Sequence, residues 1–167
     1  IKAIEQKISF NIAGGTHHSF SDRGEGFCIL NDQAVSAQNL IKNHNINKIL
    51  IIDLDVHQGN GTASIFESND KVYTFSMHGA KNYPFKKQKS DLDIPLDDNT
   101  DDELYLNILT KTLPVLINKV KPNFIFYLSG VDIMKSDKLG RLSLSIDGCR
   151  ERDKFVLKLA KKFFWEA

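Results

Sequence analysis

Three short polar clusters in this sequence carry side chains able to do chemistry. They are Gly14-Gly15-Thr16-His17-His18, Asp53-Leu54-Asp55-Val56-His57 and Ser129-Gly130-Val131-Asp132. Asp53, Asp55 and His57 alternate with apolar neighbours, so on an extended backbone all three project to one side. Two carboxylates and an imidazole that follow a run as apolar as Ile49-Leu50-Ile51-Ile52 are costly to leave unpaired. A bound cation offsets that cost, and carboxylate plus imidazole suits zinc and similar divalent ions. Asp132, at the end of a second apolar run, adds a third ligand. Three protein ligands leave zinc an open position, which is the catalytic arrangement. His17 and His18 are adjacent, so a regular strand would face them opposite ways. On a turn both can enter one pocket, where imidazoles that titrate near neutrality suit proton transfer.

Each cluster also has an ordinary structural reading when it stands alone. Asp53 and Asp55 can cap the following helix, His57 can be a satisfied loop histidine, and Asp132 can be a turn aspartate. The histidine pair can sit exposed in a turn or bind metal directly. A phosphatase-type pair of aspartates after an apolar strand is a weak match, because His57 stands where that motif carries a small or hydroxyl residue.

The elements that must position these clusters follow from periodicity. Residues 8–13 read as a strand, 32–43 as a helix, and 48–55 as a parallel strand buried on both faces. A short helix is expected over 62–68 and a strand over 72–77. Thr100 to Glu103 reads as a capping box that opens a helix to Val120, which Pro114 should kink or split. Residues 123–129 read as a further strand. Ser145 caps a last helix whose apolar positions include Phe155, Val156, Leu159 and Phe163. This alternation predicts one α/β domain over 1–167, a three-layer sandwich around a mainly parallel sheet. Ligands of such sheets bind beyond the carboxyl ends of the strands, which is where the polar clusters fall.

Bulk composition narrows the class of function. The chain has 167 residues, 41% hydrophobic and 26% charged, with a formal net charge of +1. That balance gives no electrostatic reason to expect nucleic acid or an anionic membrane as partner. No stretch approaches the ~18 apolar residues of a membrane span, and no signal peptide opens the sequence. Cys28 and Cys149 are far apart, so a reducing, cytoplasmic setting is expected rather than a disulfide framework. The sequence opens and closes in mid-pattern, which reads as cuts through a larger domain.

The blocks GGTHH, RGEGFCILND, DLDVHQGNGTA and SGVD resemble, in order and spacing, the signatures of histone deacetylases and their bacterial relatives, the acetoin-utilisation and acetylpolyamine deacetylases. Among these the sequence looks most similar to the small class IV-type enzymes. The resemblance implies an arginase-like α/β sandwich that removes acetyl groups from protein lysine or from a small acetylated amine. It implies zinc, with iron as the alternative ion, on Asp55, His57 and Asp132. His17 and His18 match the tandem catalytic histidines, with His18 as general base, and Asp53 matches the carboxylate that orients His17. Gly26, Phe27 and Tyr83 match the acyl-lysine tunnel, and Leu139 matches the apolar residue at its mouth. Backbone oxygens of Asp53, Asp55 and His57, with Ser76 and Met77, resemble a structural potassium site.

Two departures stand out. Asn60 takes the place of an Asp that backs the second histidine in many relatives, so His18 should be less basic here. The family's oxyanion-stabilising tyrosine has no match in the sequence, because Tyr105 and Tyr127 fall in core patterns. Loss of an oxyanion donor typically costs ~100- to 1000-fold in rate, so slow turnover is expected of these 167 residues alone. Two other classes remain open: a non-catalytic metal-binding or interaction domain of the same fold, and an arginase-like ureohydrolase with a second metal.

Overall fold

The computed structural model describes residues 2–12 and 15–165. Its centre is a parallel sheet of four strands in the order β3-β2-β1-β4. These are β1 (Ile49–Asp53), β2 (Val72–Gly79), β3 (Leu92–Leu96) and β4 (Phe124–Leu128). The helices are α1 (Lys2–Gln6), α2 (Asp32–Asn43), α3 (Asn60–Phe66), α4 (Asp102–Val120) and α5 (Ile146–Trp165).

The continuous apolar run of β1 is explained by what covers it. Leu50, Ile52, Leu54 and Val56 face one layer with Leu109, Leu113 and Leu116 of α4 and Val156 of α5. Ile49 and Ile51 face the other layer with Ala34, Ala37 and Leu40 of α2 and Phe66 of α3. Helices therefore cover both faces, and β1 is buried throughout. The expected three-layer α/β architecture is the observed one.

The ends of the elements are set by local hydrogen bonding. Asn31 caps α2 through its side chain, which accepts from Ala34 N at 3.0 Å. Ser145 caps α5, with its hydroxyl accepting from Gly148 N at 3.0 Å. The cap of α4 is Asp101 rather than the expected Thr100, since the Asp101 carboxylate accepts from Leu104 N at 3.1 Å. Pro114 does not split α4, which runs unbroken across it. The interior proline costs about 3 kcal/mol, but Leu109, Leu113, Leu116 and Ile117 are all buried on that helix and outweigh it.

Two elements differ from expectation. Residues 8–12 form no strand, and Ala13 and Gly14 lie outside the described residues. Phe10 is 74% exposed and Ile12 fully so, and apolar alternation without a partner ladder does not hold a strand. The β3 strand was not legible, because Pro95 argues against a strand interior. It sits on the sheet edge, paired in register with His78 of β2, where a missing N–H on the outer side is tolerated. Both cysteines are buried and free. No helix of the described residues is long and apolar enough to cross a membrane.

Candidate metal centre and proton relay

The registers fix where the polar clusters meet. Asp53, the last residue of β1, pairs with Ser76 of β2 on one side and Leu128 of β4 on the other. Beyond Asp53 the backbone leaves the ladder in side-chain-supported turns. Asp53 Oδ1 accepts from Asp55 N at 3.2 Å, and Asp55 Oδ1 accepts from His57 N at 2.8 Å. The loop after β4 is drawn in by Asp132 Oδ1, which accepts from Val56 N at 3.1 Å.

Asp55, His57 and Asp132 thereby converge, with one donor atom from each within 4.8 Å of the others. His57 Nδ1 is 3.0 Å from Asp55 Oδ1 and 3.0 Å from Asp132 Oδ2. Burial works against a charged imidazole, but the bonds from Asp132 and Asp55 overcome it and raise His57 to about 9. Burial pushes Asp55 up from the usual carboxylate range. Burial opposes the charge on Asp132 as well, yet His57 and the Val56 amide hold it low. One proton shared between two carboxylates is the arrangement that a divalent cation would replace. The donor set of two carboxylates and an imidazole nitrogen fits such an ion.

The histidine pair lies beside these donors. Its rings are 4.2 Å apart, and the His18 ring is 6.0 Å from that of His57. His17 Nδ1 is 2.6 Å from Asp53 Oδ2, and both residues are buried. Burial would depress His17, but the Asp53 charge and hydrogen bond reverse this and raise it to about 9. His18 is lowered to about 4, first by burial and then by the neighbouring His17. The adjacent rings are therefore driven to opposite protonation states, His17 by its carboxylate partner and His18 by burial beside a charged neighbour.

His18 Nδ1 is 2.7 Å from Asn60 Oδ1. An amide oxygen only accepts, so the proton is on Nδ1 and Nε2 is the basic nitrogen. Asn60 Nδ2 in turn donates to Glu25 Oε1 at 2.9 Å, and the Tyr83 hydroxyl donates to the same oxygen at 2.7 Å. The Tyr83 ring stands 4.9 Å from His18, edge to face, and burial with Glu25 raises its hydroxyl to about 12. Gly26 has φ +53°, and a Cβ there would fall 2.5 Å from His18 Cδ2.

The remaining expected residues are more open. Phe27 is fully exposed and Leu139 is 71% exposed. The Leu139 carbonyl accepts from Asn82, the neighbour of Tyr83. Ser76 and Met77 are buried, with the Ser76 hydroxyl 2.9 Å from His78 Nδ1. Tyr105 is fully buried, and the Tyr127 hydroxyl donates to Asp153, so both serve the core. Glu25 was not singled out from the sequence. Its only signal is its place inside the RGEGFC block, since its partners lie 35 and 58 positions away.

Comparison with known proteins identifies relatives along nearly the whole chain. An uncharacterised protein of a Picosynechococcus strain is 47% identical over 93% of the chain. Histone deacetylase 2 of Arabidopsis thaliana and the acetoin utilization protein AcuC of Staphylococcus aureus are each 33% identical, over 96% and 92% of the chain. The crystal structure of a histone deacetylase homologue from Aquifex aeolicus superposes with a TM-score of 0.85 at 28% identity, over 95% of the chain and 47% of its own. The chain spans about half the length of these relatives, 52% of the first and 42% of the other two. The histone deacetylase domain model matches residues 1–165, and the chain belongs to that family.

Proposed function

We propose that the protein hydrolyses an acetyl-amide, on a protein lysine or a small acetylated amine, to acetate and the free amine. The supporting observation is the convergence of Asp55, His57 and Asp132 beside His17 and His18. Asp55, His57 and Asp132 hold the metal, and zinc is the ion this donor set suits, with iron as the alternative. When bound, the ion supplies a Lewis acid for the acetyl carbonyl and for the attacking water.

The protein's own groups handle the protons. His18, with its Nδ1 proton committed to Asn60, accepts a proton from water at Nε2 as the carbon–oxygen bond forms. That proton passes to the amine nitrogen as the carbon–nitrogen bond breaks. His17, kept charged by Asp53, places a positive group beside the developing negative charge. Gly26 and Tyr83, with Phe27 and Leu139 at the mouth, line the approach of the acyl chain. Backbone oxygens of Asp53, Asp55 and His57 with Ser76 and Met77 would hold a structural potassium ion.

Metal content and acetate release, measured together, test this reading. The protein should carry one zinc per chain and deacetylate an acetyl-lysine peptide or an acetylated polyamine. Asp55→Ala and Asp132→Ala should lose both properties. Full turnover in metal-free protein, or a tightly bound ion in Asp132→Ala, would overturn it.

A further inference from the structure

Arg152 is the bulkiest of the fully buried side chains, with 0% exposure, and it stands on α5 in an otherwise apolar layer. Its Nε donates to Asp153 Oδ1 at 2.8 Å. Its Nη1 donates to two backbone carbonyls, Leu54 O at 3.2 Å and Gly130 O at 2.6 Å. Leu54 lies directly before Asp55, and Gly130 lies two residues before Asp132. One guanidinium nitrogen thus bridges the two loops that carry the converging carboxylates.

The bridge falls where the sheet stops holding those loops together. The register of β1 and β4 ends at Asp53 and Leu128, followed by a bond from Leu54 N to Leu128 O at 3.0 Å. Beyond it, among the described residues, the loops are linked by Val56 N to Asp132 Oδ1, by the His57–Asp132 contact between two of the proposed ligands, and by Arg152, which alone of the three uses no ligand side chain. A buried guanidinium carries a heavy desolvation cost, which Asp153 and the two carbonyls offset. An apolar side chain would fill the volume without that cost but would leave both carbonyls unpaired. Lysine offers donors from a single point, without the planar fork that serves Asp153 and the carbonyls together.

We infer that Arg152 is a positioning residue for the metal centre: by bridging Leu54 O and Gly130 O it sets the separation of Asp55 and Asp132. The inference rests on the reading of Asp55, His57 and Asp132 as metal ligands. Arg152 touches neither ion nor substrate, and it acts through the backbone of the two ligand loops.

The test is Co2+ binding to the metal-free protein, read by titration and by the visible absorption that reports coordination geometry. Arg152→Lys should bind Co2+ about 10- to 100-fold more weakly, with an altered absorption band. Leu113→Ala, which opens a cavity in the same apolar layer, should lower the melting temperature and keep the wild-type affinity and band. Wild-type affinity and absorption in folded Arg152→Lys would overturn the inference while leaving the metal site intact. No Co2+ binding by the wild type would overturn the metal reading itself and this inference with it. If Arg152→Lys does not fold, Arg152→Gln carries the same comparison. If neither folds at a temperature where Leu113→Ala does, Arg152 serves the fold and the inference fails.

Discussion

The amide oxygen of Asn60 lies 2.7 Å from His18 Nδ1, while its amide nitrogen donates to the Glu25 carboxylate. The side chain behind the second histidine is therefore neutral, with a negative charge one hydrogen bond further out. Asn60→Asp brings that charge into contact with His18. It should raise His18 from about 4 by about one to three units, read by NMR titration of the metal-free protein. The new carboxylate also faces Glu25, so the variant should melt earlier than wild type. Glu25→Gln added to it should recover the loss. A His18 that titrates unchanged in Asn60→Asp would contradict this account.

Metal binding should release a proton near neutral pH. His57 is raised to about 9 in the metal-free protein, against burial, by its bonds to Asp132 and Asp55. A metal takes the neutral imidazole, so below about 9 the ion must displace a proton. Apparent affinity should rise about tenfold per pH unit between 6.5 and 8. Calorimetry in buffers of different ionisation enthalpy should count one proton released per ion. Binding independent of pH over that range would place the ion elsewhere.

The metal-free protein should be most stable near pH 6.5. His17 and His57 have folded values of about 9, so their stabilisation is complete below about 6.5 and is lost as pH rises through 9. His18 and His78 have folded values of about 4, lowered chiefly by burial. The unfolded chain binds their protons first, so stability falls as pH drops from about 6.5 toward 4. Thermal melting in chelator across pH 4 to 10 should show both limbs. His78→Gln should flatten the acid limb alone. A melting temperature that climbs steadily to pH 9 would contradict the charged state of His17 and His57.

Gly130→Ala should weaken metal binding with the fold retained. A Cβ at Gly130 would lie 2.6 Å from the Cα of Asp55, so the two ligand loops would have to separate. We expect metal affinity to fall at least as far as for loss of an outer hydrogen-bond partner, about 10- to 100-fold. Circular dichroism should remain that of a folded α/β protein. Unchanged metal affinity would show that the loops approach one another less closely than described.

Local pattern was enough to place α2, β1, α4, β4 and α5, because each buries a face or a run whose periodicity is written in consecutive residues. It was also enough to nominate Asp55, His57, Asp132 and the histidine pair, whose types are costly to desolvate except in a site. It misplaced residues 8–12 as a strand, since strand pairing depends on a partner and not on alternation. It missed β3, since an edge proline is tolerated only where topology leaves that edge open. The protonation states were beyond it. His17 and His18 are neighbours of the same type, and only the tertiary structure sets Asp53 against one ring and Asn60 against the other. Glu25, Tyr83 and Arg152 likewise act across separations of 22 to 98 residues, and contacts that distant leave no periodic trace in a sequence.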